Sequence, residues 1–541
     1  MFKKSTPKLL VVATAGLLAL AMVGCSSGTP NNNNSSSSSQ PSSTPRQGDT
    51  LTMSAGGDPL AIDPALIKSG LGTQISVVMA ETLTTYKDSP DGSLKPLLAV
   101  SWKPNATNDV WTFKLRDKVK FQDGTPFDAD AVKQNFDRLR DKRLAVLTAG
   151  DVASFVKSED VIDPLTIAIN LTQPVSYFPN AVSNQTSAIT SPTSWTVAPN
   201  TFASASKVVG TGPYKLTEWV QNDHITVTRN DGYWGKKPYY QTQIFKFIPD
   251  ANARETALRA GQIDAAVGLP AADLDSMKNN SSLDVNISFG TRMNYLAINT
   301  ASTANPLLQD PRVRQALNYA VDKNAIVKSV LFGAGKVTTA PGINGPDNQC
   351  KLPQYTYNPK KAKSLLASAG ATGMTVQLLS PNGRFLQDSQ TAQAIAGYLT
   401  DVGLKVVGPQ IADNATNQAI IAAPPAKSNA DPRDQLFIWS FGADFAHPSQ
   451  SLTRIYQAGG GLNFSHYANS KVAALTLQAI AEPDKKKAAD LYCQAEKLVW
   501  DDAPVVFLYT AGFVVVSSTK VAGITIVPNS VYDSIYAYPA A

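Results

Sequence analysis

The alternation of apolar and polar positions predicts a strand in the first third of the chain. Between Val110 and Arg116 the aromatic and apolar side chains stand at every second position, which is typical of a strand with one buried face. The apolar face continues at Val119 and Phe121, beyond a short turn. The pattern therefore predicts a hairpin.

A helix is predicted directly after this hairpin. The turn-forming residues 123–126 are followed by Asp128, whose carboxylate can accept hydrogen bonds from free backbone N–H groups at a helix start. Val132, Phe136 and Leu139 then recur at helical spacing. These positions predict a helix with its apolar face towards the strands.

The same two periods recur to the end of the chain. Further strands are predicted at 50–54, 161–171, 214–219, 225–228, 293–300, 404–407, 436–439 and as two apolar runs within 503–517. Further helices are predicted at 73–83, 251–260, 311–321, 359–369, 390–399 and 485–499. The alternation indicates an α/β fold, and residues 50–541 are too many for one core, so at least two lobes are expected.

The N-terminus has the pattern of an export signal. Lys3, Lys4 and Lys8 precede an apolar run at 9–23, which is short for a membrane-spanning helix and is typical of a signal peptide covering residues 1–24. The sequence Met-Val-Gly-Cys that ends at Cys25 resembles a lipobox, so Cys25 is expected to carry lipid as the first mature residue. An ordinary cleaved signal with an incidental cysteine is the alternative.

Residues 25–49 are rich in Ser, Asn and Pro and have almost no apolar side chains, so we expect a flexible tether between the lipid and the folded body.

The chain has 48 Lys and Arg against 42 Asp and Glu, for a net charge of +6. Removing the three lysines of the signal leaves +3, and no basic stripe is present. A nucleic acid partner is therefore not expected.

Cysteine and histidine usage argues against a metal site. With Cys25 lipidated, Cys350 and Cys493 remain as one pair that can bridge in an oxidising compartment, and two free thiols are the alternative. The three histidines do not form a cluster at metal-ligand spacing. No metal and no cofactor are expected.

Common catalytic motifs are missing from the sequence. It has no G-x-S-x-G elbow, no H-E-x-x-H helix and no phosphate loop. Gly210-Thr211-Gly212 leads into predicted strands rather than a helix, so a nucleotide site is not expected there. Three classes remain: a binding receptor, a secreted hydrolase with paired carboxylates, and a structural surface lipoprotein.

Several longer segments resemble one family. They are "LKPLLAVSWKPN", "WTFKLRDKVKFQDGTPFDADAVKQNFDRL", "VVGTGPYKLTEW", "ITVTRNDGYWG", "DPRVRQALNYAVDKNAIVKSVLFGAG" and "YNPKKAKSLLASAG". Together they resemble the family 5 solute-binding proteins, which are the dipeptide, oligopeptide and nickel receptors of bacterial ABC importers. The resemblance covers nearly all of 50–541. It implies a non-enzymatic, monomeric, extracytoplasmic receptor that delivers its ligand to the permease subunits of a transporter.

The resemblance also implies the domain organisation. The expected fold is the two-lobed periplasmic-binding-protein fold of type II, with a ligand cleft between the lobes. Lobe one would comprise 50–292 and 506–541, with 87–205 as an extra subdomain, and lobe two would comprise 293–505. Two crossing segments would act as the hinge.

Candidate ligand-binding residues follow from the same resemblance. Asp444, in "FIWSFGADFAHP", corresponds by motif to the Asp that captures a peptide ammonium, and Phe441 and Trp439 are candidates for the apolar wall. Arg384, in "SPNGRF", lies near the family's equivalent region and would pair with a terminal carboxylate; a solvated or structural role is the alternative. For Asp444 the alternative is a turn residue that hydrogen-bonds its own backbone. His447 stands where family members often have a second Asp, so nickel chelates and oligosaccharides remain alternative ligands.

Overall fold

The structure is a computed structural model that describes residues 45–540, apart from 68, 88, 90–92, 142–149, 196–207, 339–340, 343–349, 443–444, 446 and 528–530. The predicted signal peptide, Cys25, most of the predicted tether and Asp444 lie outside the described residues. Within the described ranges every helix is too short or too polar to cross a membrane.

Strands and helices alternate along the described chain, which confirms the α/β prediction. The strands are β1 (Gly48–Ala55), β2 (Thr84–Thr85), β3 (Lys95–Pro96), β4 (Ala99–Pro104), β5 (Val110–Leu115), β6 (Val156–Asp163), β7 (Thr166–Leu171), β8 (Tyr214–Val220), β9 (His224–Arg229), β10 (Tyr240–Phe247), β11 (Ala265–Val267), β12 (Leu283–Ile298), β13 (Gly335–Val337), β14 (Thr375–Pro381), β15 (Lys405–Ala412), β16 (Leu436–Phe441), β17 (Val505–Ser518), β18 (Val521–Ala522), β19 (Thr525–Val527), β20 (Val531–Asp533) and β21 (Tyr538–Pro539). The α-helices are Gly70–Ser76, Ala129–Leu139, Gly150–Phe155, Phe178–Ala181, Ala251–Arg259, Leu274–Lys278, Pro311–Ala320, Lys323–Ala325, Pro359–Ser368, Asp388–Asp401, Asn414–Ile421, Pro425–Ser428, Ser449–Arg454, Ser470–Ala481 and Lys485–Asp502.

Two long antiparallel strands, β12 and β17, lie at the centre of the largest sheet. Among the described residues this sheet has eleven strands in the order β15-β14-β16-β12-β17-β11-β1-β10-β9-β8, and β13 pairs with β17. One end of β12 pairs with β16, and the opposite end of β17 pairs with β11. The pair therefore connects a β14 half of the sheet (β14, β15 and β16) with a β1 half (β1, β8, β9, β10 and β11).

Each half has its own apolar core. The β14 half packs against the helices Pro311–Ala320, Pro359–Ser368 and Asp388–Asp401. The β1 half packs against the helix Gly70–Ser76 and the segment 531–537. The apolar residues of the two halves thus pack separately, on either side of the crossing of β12 and β17.

A four-stranded sheet, in the order β4-β5-β7-β6, forms a further unit with the helix Ala129–Leu139. The alternation predicted for β5 is confirmed, because Trp111, Phe113 and Leu115 are buried. The predicted hairpin partner is wrong: β5 pairs with β4 and β7, whereas the segment of Val119 and Phe121 forms backbone hydrogen bonds with Thr125 and Phe127. A strand's own pattern shows its buried face but does not determine its neighbour.

The helix starts follow the sequence closely. The side chain of Asp128 accepts from the backbone N–H of Ala131, and those of Asp250, Asp310 and Asn358 accept in the same way at three other helices. Each bond satisfies a backbone donor that the helix leaves free. The cap predicted at Asp128 depended only on neighbouring residues, and it is confirmed.

Three predicted elements have different bounds. The predicted strand 161–171 is the hairpin of β6 and β7, and the two runs predicted near the C-terminus form the single strand β17. The predicted helix 73–83 ends at Ser76, because the carbonyl groups of Val78 and Met79 accept bonds from Tyr214 and Gly212. Tertiary hydrogen bonds thus replace helical ones.

The Gly210 to Gly212 segment has a structural role. A Cβ atom at Gly210 would lie 2.2 Å from the carbonyl oxygen of Met79, and one at Gly212 would lie 2.6 Å from the same oxygen. Glycine is needed there for backbone-to-backbone packing. This contact explains the motif without an anion.

Candidate ligand-binding site

A cavity of about 780 Å³ lies where the two halves of the large sheet meet. Its volume is in the range of about 300–1,000 Å³ that is usual for small-molecule sites. The described wall residues come from four parts of the chain: Arg254 with 268–271 and Leu274, Arg292 and Asn294 of β12, the loop and helix start 382–390, and 511–514 of β17. Both central strands therefore contribute to the cavity.

Arg384 lies in this wall on a loop that Asp388 holds in place. The buried carboxylate of Asp388 accepts from the backbone N–H groups of Gly383, Arg384, Phe385 and Ser389, at 2.8–3.0 Å. Four such bonds fix the backbone of the loop, and the four N–H dipoles offset the negative charge of the Asp388 carboxylate. The side chain of Arg384 therefore extends into the cavity wall from a loop whose backbone is fixed.

Trp439 supports the guanidinium of Arg384. The Cζ atom of Arg384 lies 4.6 Å from the ring centroid of Trp439, which is cation–π distance. Phe385 packs against the edge of the same indole, with ring centroids 5.3 Å apart. Partial burial lowers the pKa of Arg384 below its ordinary value. Among the residues that the structure describes, the Arg384 guanidinium forms no ion pair with a carboxylate.

Arg292 reaches the cavity from an irregular part of β12. The register with β17 shifts between Phe289 and Met293, so residues 290–292 lie opposite the single residue Ala511. A bulge of this kind bends a strand and redirects its side chains. The exposed side chain of Arg292 lies in the cavity wall. It also lies close to Gly442, since a Cβ atom at Gly442 would be 2.9 Å from Nη2 of Arg292.

Arg254 is a buried cation in the same wall. Its guanidinium donates to the carbonyl oxygens of Ile248, Pro249, Val267 and Gly268. Burial lowers its pKa below the ordinary value. Carbonyl dipoles satisfy its donors, and the negative charge of Asp250 partly offsets its positive charge.

The structure places Trp439 and Phe441 on one face of β16, both almost fully buried. Neither is among the described wall residues of the cavity, and Trp439 lies beneath Arg384 instead. Asp444 lies outside the described residues, three positions after the end of β16. Of the four predicted ligand-binding residues, Arg384 lies directly in the wall.

A second contact joins the four-stranded unit to the β14 half. Tyr177 stacks on His447 with ring centroids 4.3 Å apart and on Phe445 at 5.7 Å. The backbone N–H of Ser176 donates to the carbonyl oxygen of Ile480 at 2.8 Å. Burial lowers the pKa of His447 to about 3, and its Nδ1 accepts from Ser449, so the stacked imidazole is neutral.

No group of three or more His, Cys, Asp or Glu side chains in the described ranges is arranged to hold a metal ion. Cys350 and Cys493 lie elsewhere in the β14 half, with their sulfur atoms 2.07 Å apart, which is bonding distance. Their contact ties the segment after residue 349 to the helix Lys485–Asp502.

The sequence did not indicate Arg292, Arg254 or Asp388 as site residues. Asp388 carried a local signal only for a helix start, where acidic residues are favoured; its bonds to the preceding N–H groups of 383–385 had none. Arg292 had no such signal, because its direction depends on a bulge between strands that are more than two hundred residues apart.

Comparisons with known proteins agree with this architecture. The family model described as the middle region of the bacterial extracellular solute-binding proteins, family 5, matches residues 93–463, which is more than half of the chain. The glutathione-binding protein GsiB of Shigella flexneri is 30% identical over 450 residues, covering 81% of this chain and 84% of that protein.

Solved structures show the same fold. The periplasmic binding protein DppA of Helicobacter pylori, in complex with the peptide STSA, superposes with a TM-score of 0.75 at 24% identity, covering 92% of this chain and 99% of that one. NikA of Brucella suis, in complex with Fe(III)-EDTA, gives a TM-score of 0.78 at 24% identity, covering 91% and 100%. These likenesses confirm the predicted two-lobed periplasmic-binding-protein fold.

Proposed function

The chain belongs to family 5 of the bacterial extracellular solute-binding proteins, and from this premise we propose that it captures a di- or oligopeptide and delivers it to the permease of an ABC importer. The family consists of binding proteins, not enzymes. The observation that carries the proposal is the cavity between the two halves of the sheet, with Arg384 in its wall.

The proposed lobes follow the two halves of the sheet. Lobe one comprises 50–292 and 506–541, with 87–205 as its subdomain, and lobe two comprises 293–505. The hinge lies where β12 and β17 change partners, at the bulge before Met293 and at Gly512. Hinges of this type absorb changes in backbone dihedral angles at few residues.

The contact of Tyr177 with His447 and Phe445 supports a closed arrangement. Tyr177 belongs to the proposed subdomain of lobe one, whereas both of its partners belong to lobe two. Aromatic pairs of this kind contribute roughly 0.5–1.5 kcal/mol beyond burial of area. We propose that these contacts form when the lobes close, and that the permease recognises the closed, monomeric form.

Four residues are proposed to hold the peptide. Arg384 pairs with the terminal carboxylate, because its planar fork matches a carboxylate and its charge has no described partner. Asp444 pairs with the terminal ammonium. Trp439 and Phe441 shape the site from the face of β16, Trp439 by supporting the guanidinium.

Calorimetry combined with small-angle scattering tests this function. We expect glutathione or a tripeptide to bind, to raise the unfolding temperature and to reduce the radius of gyration, because a ligand held by both lobes favours the closed form. A nickel–histidine complex and maltotriose serve as the comparison ligands. If only the nickel–histidine complex or maltotriose binds, that compound and not a peptide is the ligand class. Consumption of the peptide would indicate a hydrolase. Unchanged scattering with a bound peptide would exclude lobe closure.

We also propose that Cys25 is acylated and anchors the protein to the cell membrane. Support comes from the lipobox-like sequence and the polar tether that follows it. A single acyl chain binds membranes only marginally, so stable anchoring takes more than one.

Replacing Cys25 with alanine is expected to move the protein from the membrane fraction to the soluble fraction. The neighbouring change Ser26→Ala is the control and should leave the distribution as it is. If Cys25→Ala sediments with membranes as before, the anchor lies elsewhere.

A further inference from the structure

Asn294 is a buried polar residue of the cavity wall with a hydrogen-bond donor that has no acceptor. Several buried polar side chains in the described part of the chain have an atom without a partner, and Asn294 is the one of them that lies in this wall. The residue is 2% exposed, and its Nδ2 group finds no acceptor among the described residues. Since a buried donor without an acceptor is costly, its presence requires an explanation.

Asn294 lies on the face of the large sheet that the helix Asp388–Asp401 covers. In the sheet it stands opposite Tyr509 of β17, whose hydroxyl lies 3.3 Å from Oγ1 of Thr391 in that helix. The first three residues of the helix, 388–390, also line the cavity. Asn294 therefore belongs to the part of the wall beside the helix start.

The neighbouring strands give the Asn294 amide no structural task. Ser440 of β16 stands opposite Asn294 on its other side, and its buried hydroxyl also lacks a partner among the described residues. An apolar side chain at position 294 would fill the same place without an unsatisfied donor. A ligand that enters the cavity and brings an acceptor accounts for the amide better than the packing of the sheet does.

The Asn294 amide can turn its donor to the cavity without moving the backbone. Nδ2 is shielded from solvent in this structure. A half-turn about χ2, which is a soft torsion in asparagine, exchanges the places of Nδ2 and Oδ1. Every peptide group of a peptide ligand carries a carbonyl oxygen, whatever the side chains are. One amide donor in the wall can therefore serve many peptides.

We propose that Asn294 is a specificity-determining residue that donates a hydrogen bond from Nδ2 to a peptide carbonyl oxygen of the bound ligand. The proposal rests on the proposed function and deepens it. Arg384 would hold the terminal carboxylate, and Asn294 would hold the main chain. Recognition at both points is independent of the side chains of the peptide.

The variant Asn294→Leu separates a ligand contact from a structural role. Leucine keeps the branched outline and removes the buried donor, so the unfolding temperature without ligand should equal or exceed that of the unchanged protein. Calorimetry should show about tenfold weaker binding of Ala-Ala-Ala. A structural amide would instead lower the unfolding temperature and leave the affinity as it is.

Tyr295→Phe is the matched control. It removes the hydroxyl of the next residue along β12, which is buried, has no partner among the described residues and is not part of the described cavity wall. Its affinity for Ala-Ala-Ala should match that of the unchanged protein. An equal loss in Asn294→Leu and Tyr295→Phe would overturn the proposal, because the loss would then not depend on a group in the wall.

A change in the ligand tests the same bond in the unchanged protein, so the result does not depend on the folding of a variant. Two analogues of Ala-Ala-Ala carry a thioamide at the first or the second peptide group, and sulfur is a weaker acceptor than oxygen. We expect one analogue to bind about fivefold more weakly than the parent peptide. In Asn294→Leu this difference should shrink to less than about twofold, as a double-mutant cycle requires for two groups in contact.

The failures of this inference and of the proposed function are distinguishable. If Ala-Ala-Ala binds, but both thioamides bind as tightly as the parent or Asn294→Leu binds it as tightly as the unchanged protein, the amide contacts no ligand carbonyl and the receptor function stands. If neither Ala-Ala-Ala nor glutathione binds or raises the unfolding temperature, the proposed function fails, and the inference fails with it.

Discussion

Replacing Arg384 by glutamine is expected to weaken peptide binding by roughly thirtyfold or more. Truncating one partner of a desolvated charge pair costs about 2 kcal/mol or more, because the other charge is left in the closed site without a counter-ion. The loop itself should remain in place, since Asp388 binds its backbone rather than the Arg384 side chain. Calorimetry with one peptide, backed by an unchanged unfolding temperature without ligand, measures the effect.

Arg384→Lys separates charge from shape. Lysine keeps the positive charge but loses the planar fork and the stacking on Trp439, so its affinity should lie between those of the unchanged protein and Arg384→Gln. Asp444→Asn tests the opposite anchor and should weaken the same peptide at least tenfold. If Arg384→Gln binds as tightly as the unchanged protein, the carboxylate lies elsewhere in the cavity.

Removing the contact between Cys350 and Cys493 is expected to lower stability more than any single surface change. The two residues are 143 positions apart, and a bridge over such a loop stabilises by up to about 5 kcal/mol through the entropy of the unfolded chain. The double variant Cys350→Ser with Cys493→Ser should unfold several degrees lower. Reductant should lower the unfolding temperature of the unchanged protein and leave that of the double variant as it is.

Non-covalent contacts should keep the double variant folded. Tyr355 stacks on Trp500 with ring centroids 4.4 Å apart, and the indole N–H of Trp500 donates to the carbonyl oxygen of Pro353. These contacts hold the same segment against the helix Lys485–Asp502. Thiol counting on denatured, unreduced Cys25→Ala protein gives a direct check, and two reactive thiols there would show that the bridge does not form.

Local chemistry made parts of the fold predictable from sequence. Asp128 starts a helix as predicted, and Asp250 and Asn358 start the predicted helices 251–260 and 359–369, because an N-cap acts on N–H groups two or three residues away. The partners of β5 and the unbroken course of β17 were not predictable in this way. Both depend on which distant strand lies alongside, and a residue's own neighbours do not specify that.

The residues of the candidate site also differ in whether the sequence could indicate them. Arg384 was a candidate because its segment lies near the corresponding region of the family, and loops between a strand and a helix commonly carry binding groups. Arg292 could not, since a regular strand would direct its side chain by simple alternation. The bulge that redirects it arises from the pairing of β12 with β17.

Strand β11 lies between partners that a ribosome makes at very different times. Its neighbour β1 is complete before β11 emerges, whereas the residues of β17 that pair with it, Val515, Val516 and Ser517, come about 250 residues later. At about 5–20 residues per second, the partner of this edge of β11 is synthesised roughly 12 to 50 seconds after β11 itself. Unpaired edges of this kind are templates for pairing with other chains. Because β17 crosses between the two halves of the sheet, completion of the β1 half depends on a strand that is synthesised late. A chaperone that binds extended chains would protect the protein most during this interval.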